Sequence, residues 1–183
     1  MLAGLLLAAG AGRRMGRPKA LVRDEAGEPW LVRGVEVLRE GGCDAVTVVL
    51  GAAADEAAAL LEGQEVAVTV AEDWAEGMGA SLRAGLAALG PEVDAVLVSL
   101  VDLTDLSAAV VARVVRGDVD DRSLRRAGYH GVPGHPVLLG RGHWPGVTAS
   151  ATGDKGARDY LAGESVTLVE CGDLATGEDR DTP

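Results

Sequence analysis

The chain has 183 residues, enough for one domain that buries its own core, and 48% of them are apolar, which excludes a disordered protein. Its 17 Lys and Arg against 28 Asp and Glu leave a formal charge of −11, so it lacks the broad basic face of a nucleic-acid binder, and any anion must be met by a local patch. Cys43 and Cys171 are too few for a disulfide framework and too far apart for a CxxC site, and both are expected to be reduced.

Without Phe, the core must be built from Leu, Val and Ala. Taken in order, AGLLLA (3–8), AVTVVL (45–50), VAVTVA (66–71) and DAVLVSL (94–100) read as strands buried on both faces. Between them, WLVRGVEVLRE (30–40) and ADEAAALLE (54–62) have helical spacing, and Met78, Leu82, Leu86 and Leu89 form one stripe of a helix over 78–89. A further helix is expected over 105–116, with Thr104 or Asp105 as its cap. RRAGYHGVPGHPVLLGR (125–141) reads as a hairpin or strand excursion, and 155–161 as a short helix. This alternation predicts one α/β domain over 1–183, a single doubly wound, mostly parallel sheet with helices on both faces (a Rossmann-like fold). Ligands should then sit at the carboxyl ends of the strands. No stretch approaches the roughly 18 apolar residues of a membrane span. The apolar run at 2–9 also precedes the first cations, the reverse of a signal peptide, so a cytoplasmic protein with no membrane partner is expected.

The chemistry concentrates behind the first strand. Gly10, Gly12 and Gly16 are interleaved with Arg13, Arg14, Arg17 and Lys19, four cations in seven positions of an acidic chain. A dinucleotide loop is one reading of the glycines, but it should run straight into a helix, and Pro18 interrupts this one. No acid ends the second strand to hold a ribose. A loop wrapping a triphosphate fits better, since backbone N–H groups approach the oxygens while the cations offset a charge of about −4. Further along, Gly77, Gly79 and Ser81 offer backbone donors and a hydroxyl at a helix start. Asp102, just past the fourth strand, is a hard oxygen ligand suited to Mg²⁺. Lys155 and Arg158, three apart, would face one anion if both sit on a helix start, and His135 is held extended by Pro136.

These stretches resemble the MobA/MocA-like nucleotidyltransferases. The segment Leu7-Ala8-Ala9-Gly10-x-Gly12-x-Arg14-Met15-Gly16-x-Pro18-Lys19 is similar to that family's NTP-binding signature, and Ala8-Ala9-Gly10 is nearer its CTP-using branch than its GTP-using one. Trp74 to Leu82 is similar to the stretch that lies over the nucleotide. The resemblance places NTP phosphates on Arg13, Arg14 and Lys19, a Mg²⁺ ion on Asp102, and a second metal contact on Asp181 within Asp179-Arg180-Asp181-Thr182-Pro183. The family's Asp-x-Pro here has Thr104 for Pro, which puts the loop's rigidity in question, and an end segment without tertiary support is expected to fray. Gly134 to Val137, including His135, and Gly153 to Arg158 are similar to acceptor-side stretches. The implied activity is transfer of CMP from CTP to the terminal phosphate of a molybdopterin-type cofactor, with pyrophosphate released and a molybdoenzyme as recipient. Alternatives are a sugar phosphate or small phosphorylated acid as acceptor, GTP as donor, or a non-catalytic nucleotide- or cofactor-binding chaperone.

Overall fold

A computed structural model of the chain describes residues 1–180. Three apolar hexapeptides form the middle of one sheet: β1 (Leu2–Leu7), β2 (Ala45–Leu50) and β4 (Ala95–Leu100). They are buried nearly end to end because helices cover both sides, and adjacent residues feed opposite cores. Leu6, Val48 and Leu97 pack with Leu31, Val35 and Leu38 of α1 (Trp30–Glu40) and with Val110, Val111 and Val114 of α4 (Ala108–Val114). Leu5, Val49, Val96 and Val98 pack with Leu82 and Leu86 of α3 (Met78–Ala88), with Trp144 and Val147 of α5 (Trp144–Ser150), and with Leu161 of α6 (Arg158–Ala162). The helix α2 (Ala54–Ala59) completes the set on the α1 side.

With β3 (Ala67–Val70), β5 (Leu124–Tyr129), β6 (Val132–Gly140) and β7 (Thr167–Glu170), the sheet has seven strands in the order β3-β2-β1-β4-β6-β5-β7. The block β3-β2-β1-β4 is parallel throughout. β6 runs antiparallel to both its neighbours, because the hairpin turn at His130 and Gly131 sends it back along β5, while β7 is parallel to β5. The chain lays down β1, β2 and β3 in one direction and then returns to place β4 on the other side of β1. Strand order therefore reverses between β1 and β4, and a crevice opens at their carboxyl ends.

Several expectations are corrected. β3 is an edge strand with Val68 and Val70 43% and 42% exposed, not a doubly buried one. The helix expected over 105–116 starts at Ala108 with Ser107 before it, because the Asp105 carboxylate is taken by Thr176 from the far end of the chain. The helix expected over 54–62 ends at Ala59. The one expected over 155–161 is a 3-10 turn at Gly153–Lys155 and then α6, separated by Gly156 at φ 55°. Lys155 and Arg158 therefore do not share a helix face.

Leu97 is fully buried on the central strand, in the core that includes α1 and α4. Leu97→Ala should lower the unfolding free energy by about 2–5 kcal/mol, read from the midpoint shift in a urea titration at unchanged slope.

Candidate nucleotide cleft and the cavity beside it

The first wall of the crevice is the loop after β1. Ala8 N still donates to Val49 O at 2.9 Å, and Ala52 N to Ala9 O at 3.0 Å, so the chain leaves the sheet only at Gly10. At Gly12, with φ 58°, it doubles back so tightly that a Cβ would lie 1.9 Å from the Arg17 carbonyl oxygen, and only glycine fits. Met15 and Ala20 are buried and pin the loop from inside, leaving Arg13, Arg14 and Arg17 exposed around the turn. Pro18 ends the loop in a single 3-10 turn, Lys19–Leu21, so no helix N-terminus faces the glycines.

That turn carries Lys19 inward. Its side chain is 16% exposed and pairs with Oδ2 of Asp102, itself 11% exposed, in the loop after β4. Burial pushes the Asp102 carboxyl above its ordinary range, while the hydrogen bond and charge of Lys19 pull it back and nearby Asp179 adds to the rise. The other oxygen, Oδ1, is buried with no hydrogen-bond partner among the described residues. The Thr104 question is answered by bracing of another kind. Arg33 donates to Thr104 O, and Thr104 N donates to Asp102 O at 3.0 Å, so the loop is held without the proline.

The resulting cleft has a volume of about 370 Å³. Leu7, Ala8, Ala9, Gly10, Gly12, Arg13, Lys19, Gly77, Ser81 and Asp102 all line it, and Trp74 forms part of the wall. Arg14 and Gly16 sit on the outer turn and do not line it. Gly79 is also outside, since it packs against the backbone of Ala151, where a Cβ would lie 2.8 Å away. Among the described residues no cluster of three or more His, Cys, Asp or Glu could cage a metal. A lone carboxylate with an unpartnered buried oxygen suits a divalent cation that arrives with phosphates and keeps its waters, which is how Mg²⁺ is usually held.

A second cavity of about 300 Å³ adjoins the first, with Leu7, Met78, Leu100 and Asp154 common to both. Gly134, His135, Lys155 and Arg158 line it, so the residues expected on the acceptor side do converge. Burial, then the charge of Arg126, pushes the His135 imidazole down to about 4, so it is neutral at pH 7. Lys155 is exposed and paired with Asp159 at 2.9 Å. Sequence reasoning missed Arg126 and Asp179, which also line this cavity. Period-two alternation along β5 is the signal that could have found Arg126.

The end segment does not fray through residue 180. Thr176 donates to Asp105 Oδ2 from its N–H at 2.5 Å and from Oγ1 at 2.7 Å, and Arg180 N donates to Asp102 O at 3.0 Å. Gly177, at φ 71°, lies flat on the Tyr129 ring, where a Cβ would be 2.1 Å from the ring carbons. These contacts bring Asp179 to the cavity. Asp181 lies outside the described residues.

A model of the MobA-like NTP transferase domain matches residues 4–169. The chain belongs to this family. Its similarity to other family-like proteins is spread over the whole length. Nicotine blue oxidoreductase of Paenarthrobacter nicotinovorans is 38% identical over 189 residues, covering 98% of this chain and 91% of that protein. The crystal structure of Rv0371c from Mycobacterium tuberculosis H37Rv superposes with a TM-score of 0.82 at 27% identity, over 99% of this chain and 93% of that one. The same protein is known as a complex with manganese. A nucleotidyl transferase from Methanothermobacter thermautotroptrophicus shares the fold, with a TM-score of 0.79 at 23% identity over 93% of this chain and 87% of that one. The family is one of nucleotidyltransferases acting on NTP, with divalent metal as its usual partner. Among the described residues no helix is long and apolar enough to cross a membrane.

Two outcomes are expected. Gly177→Ala should lift the end segment off Tyr129, and hydrogen exchange at the Thr176 and Arg180 amides should accelerate while exchange in β1 and β4 does not. His135 keeps its neutral form in the fold, so between pH 6.5 and about 4 the unfolded chain binds a proton that the native one refuses, and stability falls as pH falls through that window. His135→Gln should flatten this part of the stability profile, measured by denaturant unfolding at stepped pH.

Proposed function

We propose that this chain transfers CMP from CTP to the terminal phosphate of a molybdopterin-type cofactor and releases pyrophosphate. The observation that carries this reading is the meeting of two unlike cavities at the reversal between β1 and β4. One is walled by the glycine loop with Lys19 on Asp102, and the other is lined by Arg126, His135 and Arg158. A donor and an acceptor bound in them would lie side by side, which supplies most of what phosphoryl chemistry asks of a protein.

In this mechanism the backbone of Ala9 to Gly12 holds the triphosphate, with Lys19 and Arg13 at the wall and Arg14 on the turn beside them. An oxygen of the acceptor phosphate, already ionised, attacks the α-phosphorus in line. The bond from that phosphorus to the bridging oxygen breaks, and pyrophosphate leaves with the electron pair. No proton has to be removed from the attacking group, and among the described residues no nucleophile–base pair lines the cleft. Asp102, through Oδ1, would hold Mg²⁺ together with the phosphates; when bound, such an ion offsets their charge and aligns them. Lys19 would release Asp102 to the ion and follow the charge onto the departing pyrophosphate. Cytidine as the base is supported by Ala8-Ala9-Gly10 alone, and a molybdoenzyme would receive the product.

A second reading is favoured by one observation, the 38% identity to a protein named nicotine blue oxidoreductase over almost the entire chain. In that reading the loop holds the pyrophosphate of a reduced dinucleotide, and a nicotine-blue-like compound in the adjoining cavity accepts its hydride. The absence of a helix behind the loop speaks for the first reading.

Pyrophosphate release separates the two. It is measured with CTP and with GTP, in Mg²⁺, with and without molybdopterin cofactor, alongside NADH and NADPH oxidation by nicotine blue. CTP- and cofactor-dependent release is expected. Lys19→Ala should then cost about 2–4 kcal/mol of transition-state stabilisation, and Asp102→Ala should end turnover in a protein that still folds. Dinucleotide oxidation without pyrophosphate release would establish the second reading instead.

A further inference from the structure

Arg125 and Arg126 are consecutive on β5, so their side chains leave the sheet on opposite faces. Arg125 is consumed by structure. Its guanidinium donates to Arg116 O at 2.7 Å and to Asp118 O at 2.5 Å, just past the end of α4. Arg126 turns the other way and forms part of the wall of the second cavity.

There it is half-buried and poorly matched. Nε and Nη2 both donate to one acceptor, Gly134 O, at 3.2 and 3.1 Å. Among the described residues it has no carboxylate within ion-pair range, and Nη1 makes no hydrogen bond. Arg158, at the start of α6, lines the same cavity and is close enough to disfavour the Arg126 charge further. Arg126 loses hydration and faces a like charge from Arg158, a cost removed when an anion lies between the two guanidinium groups.

The remaining charges do not take that role. Lys155 is turned to Asp159 at the surface. Asp154 stands where the two cavities join, and Asp179 acts on Asp102 and His135. His135 is uncharged, and the floor is apolar, made by Leu82, Val98, Val137 and Leu139. The cavity thus asks for a molecule with an oxyanion at one end and an apolar or planar body.

We propose that Arg126, with Arg158, binds a phosphate monoester in the second cavity, and that Arg126 is the residue that sets the charge of the acceptor. This rests on reading that cavity as the acceptor site beside the nucleotide cleft. A dianion matches two guanidinium groups in charge, and their planar forks suit phosphate oxygens. A carboxylate would leave half of the positive charge uncompensated.

The test follows the arginine side-chain Nε–H signals of the ¹⁵N-labelled full chain by NMR during titration with inorganic phosphate. Ionic strength is held constant, acetate is the carboxylate arm, and each titration is run with and without CTP and magnesium. The Arg126 signal is the one missing from Arg126→Gln. Phosphate should move the Arg126 and Arg158 signals together, with the same affinity whether or not CTP is present. That affinity should fall about tenfold in Arg126→Gln, the loss of roughly one strong charge-assisted contact. Arg126→Lys should keep part of it together with the preference for phosphate over acetate, which Arg126→Gln should lose. Should Arg126→Gln not fold, Arg158→Gln, on an exposed helix start, is expected to show the same fall. The proposal is overturned if phosphate leaves the Arg126 signal in place, binds the glutamine variant as tightly as the wild type, or is matched by acetate. Failure of CTP to move the Arg13 and Arg14 signals would instead remove the nucleotide reading, while the phosphate titration would still report on Arg126.

Discussion

Two loops of opposite charge leave neighbouring parallel strands at the same edge of the sheet, and Lys19 and Asp102 neutralise each other there. Both side chains are more than four-fifths withdrawn from water, so either one alone would carry a desolvation cost of several kcal/mol. The pair as a whole adds little to stability for the same reason, since its attraction is spent on that cost. What it fixes is position. The glycine loop cannot swing outward without stranding a carboxylate, and the Asp102 loop cannot retreat without stranding an ammonium. The cleft, the adjoining cavity and the end segment that lies against Asp102 are all referenced to this contact.

A strongly acidic chain makes the placement of its cations informative. Arg113, Arg125 and Arg141 are used structurally, on Asp173, on the carbonyls past α4, and on Val93 O with the face of Trp144. Another set lies at the carboxyl edge, with Arg13, Arg14, Arg17 and Lys19 around the loop after β1 and Arg126 and Arg158 in the second cavity. Neither group shields a broad surface, in keeping with ligands that are small and carry their charge at one end.

The parts of this arrangement that sequence could reveal are those governed by short-range pattern. β2 and α1 begin and end where the apolar runs do, because both faces of the strand and one stripe of the helix are buried by neighbours that the run itself demands. The Gly12 turn and Asp102 could be located because backbone freedom and a carboxylate past a strand have local signatures. Long-range partners had none. Asp105 reads as a helix cap, yet accepts from Thr176, 71 positions away. Arg126 hides in an arginine pair whose members differ only in which face of β5 they leave. β3 has the composition of a buried strand, and only the sheet order makes it an edge. Lys155 and Arg158 fit a helical spacing that Gly156 breaks.

The three tryptophans are distributed in a way that gives the molecule its own optical gauge. Trp30 and Trp144 are sealed in the cores on opposite faces of the sheet, whereas Trp74 is half-buried in the wall of the cleft. Emission from the first two reports whether the chain is folded. Trp74 is the one of the three that lines the crevice, so a change in its colour or yield follows occupancy there without attaching a dye.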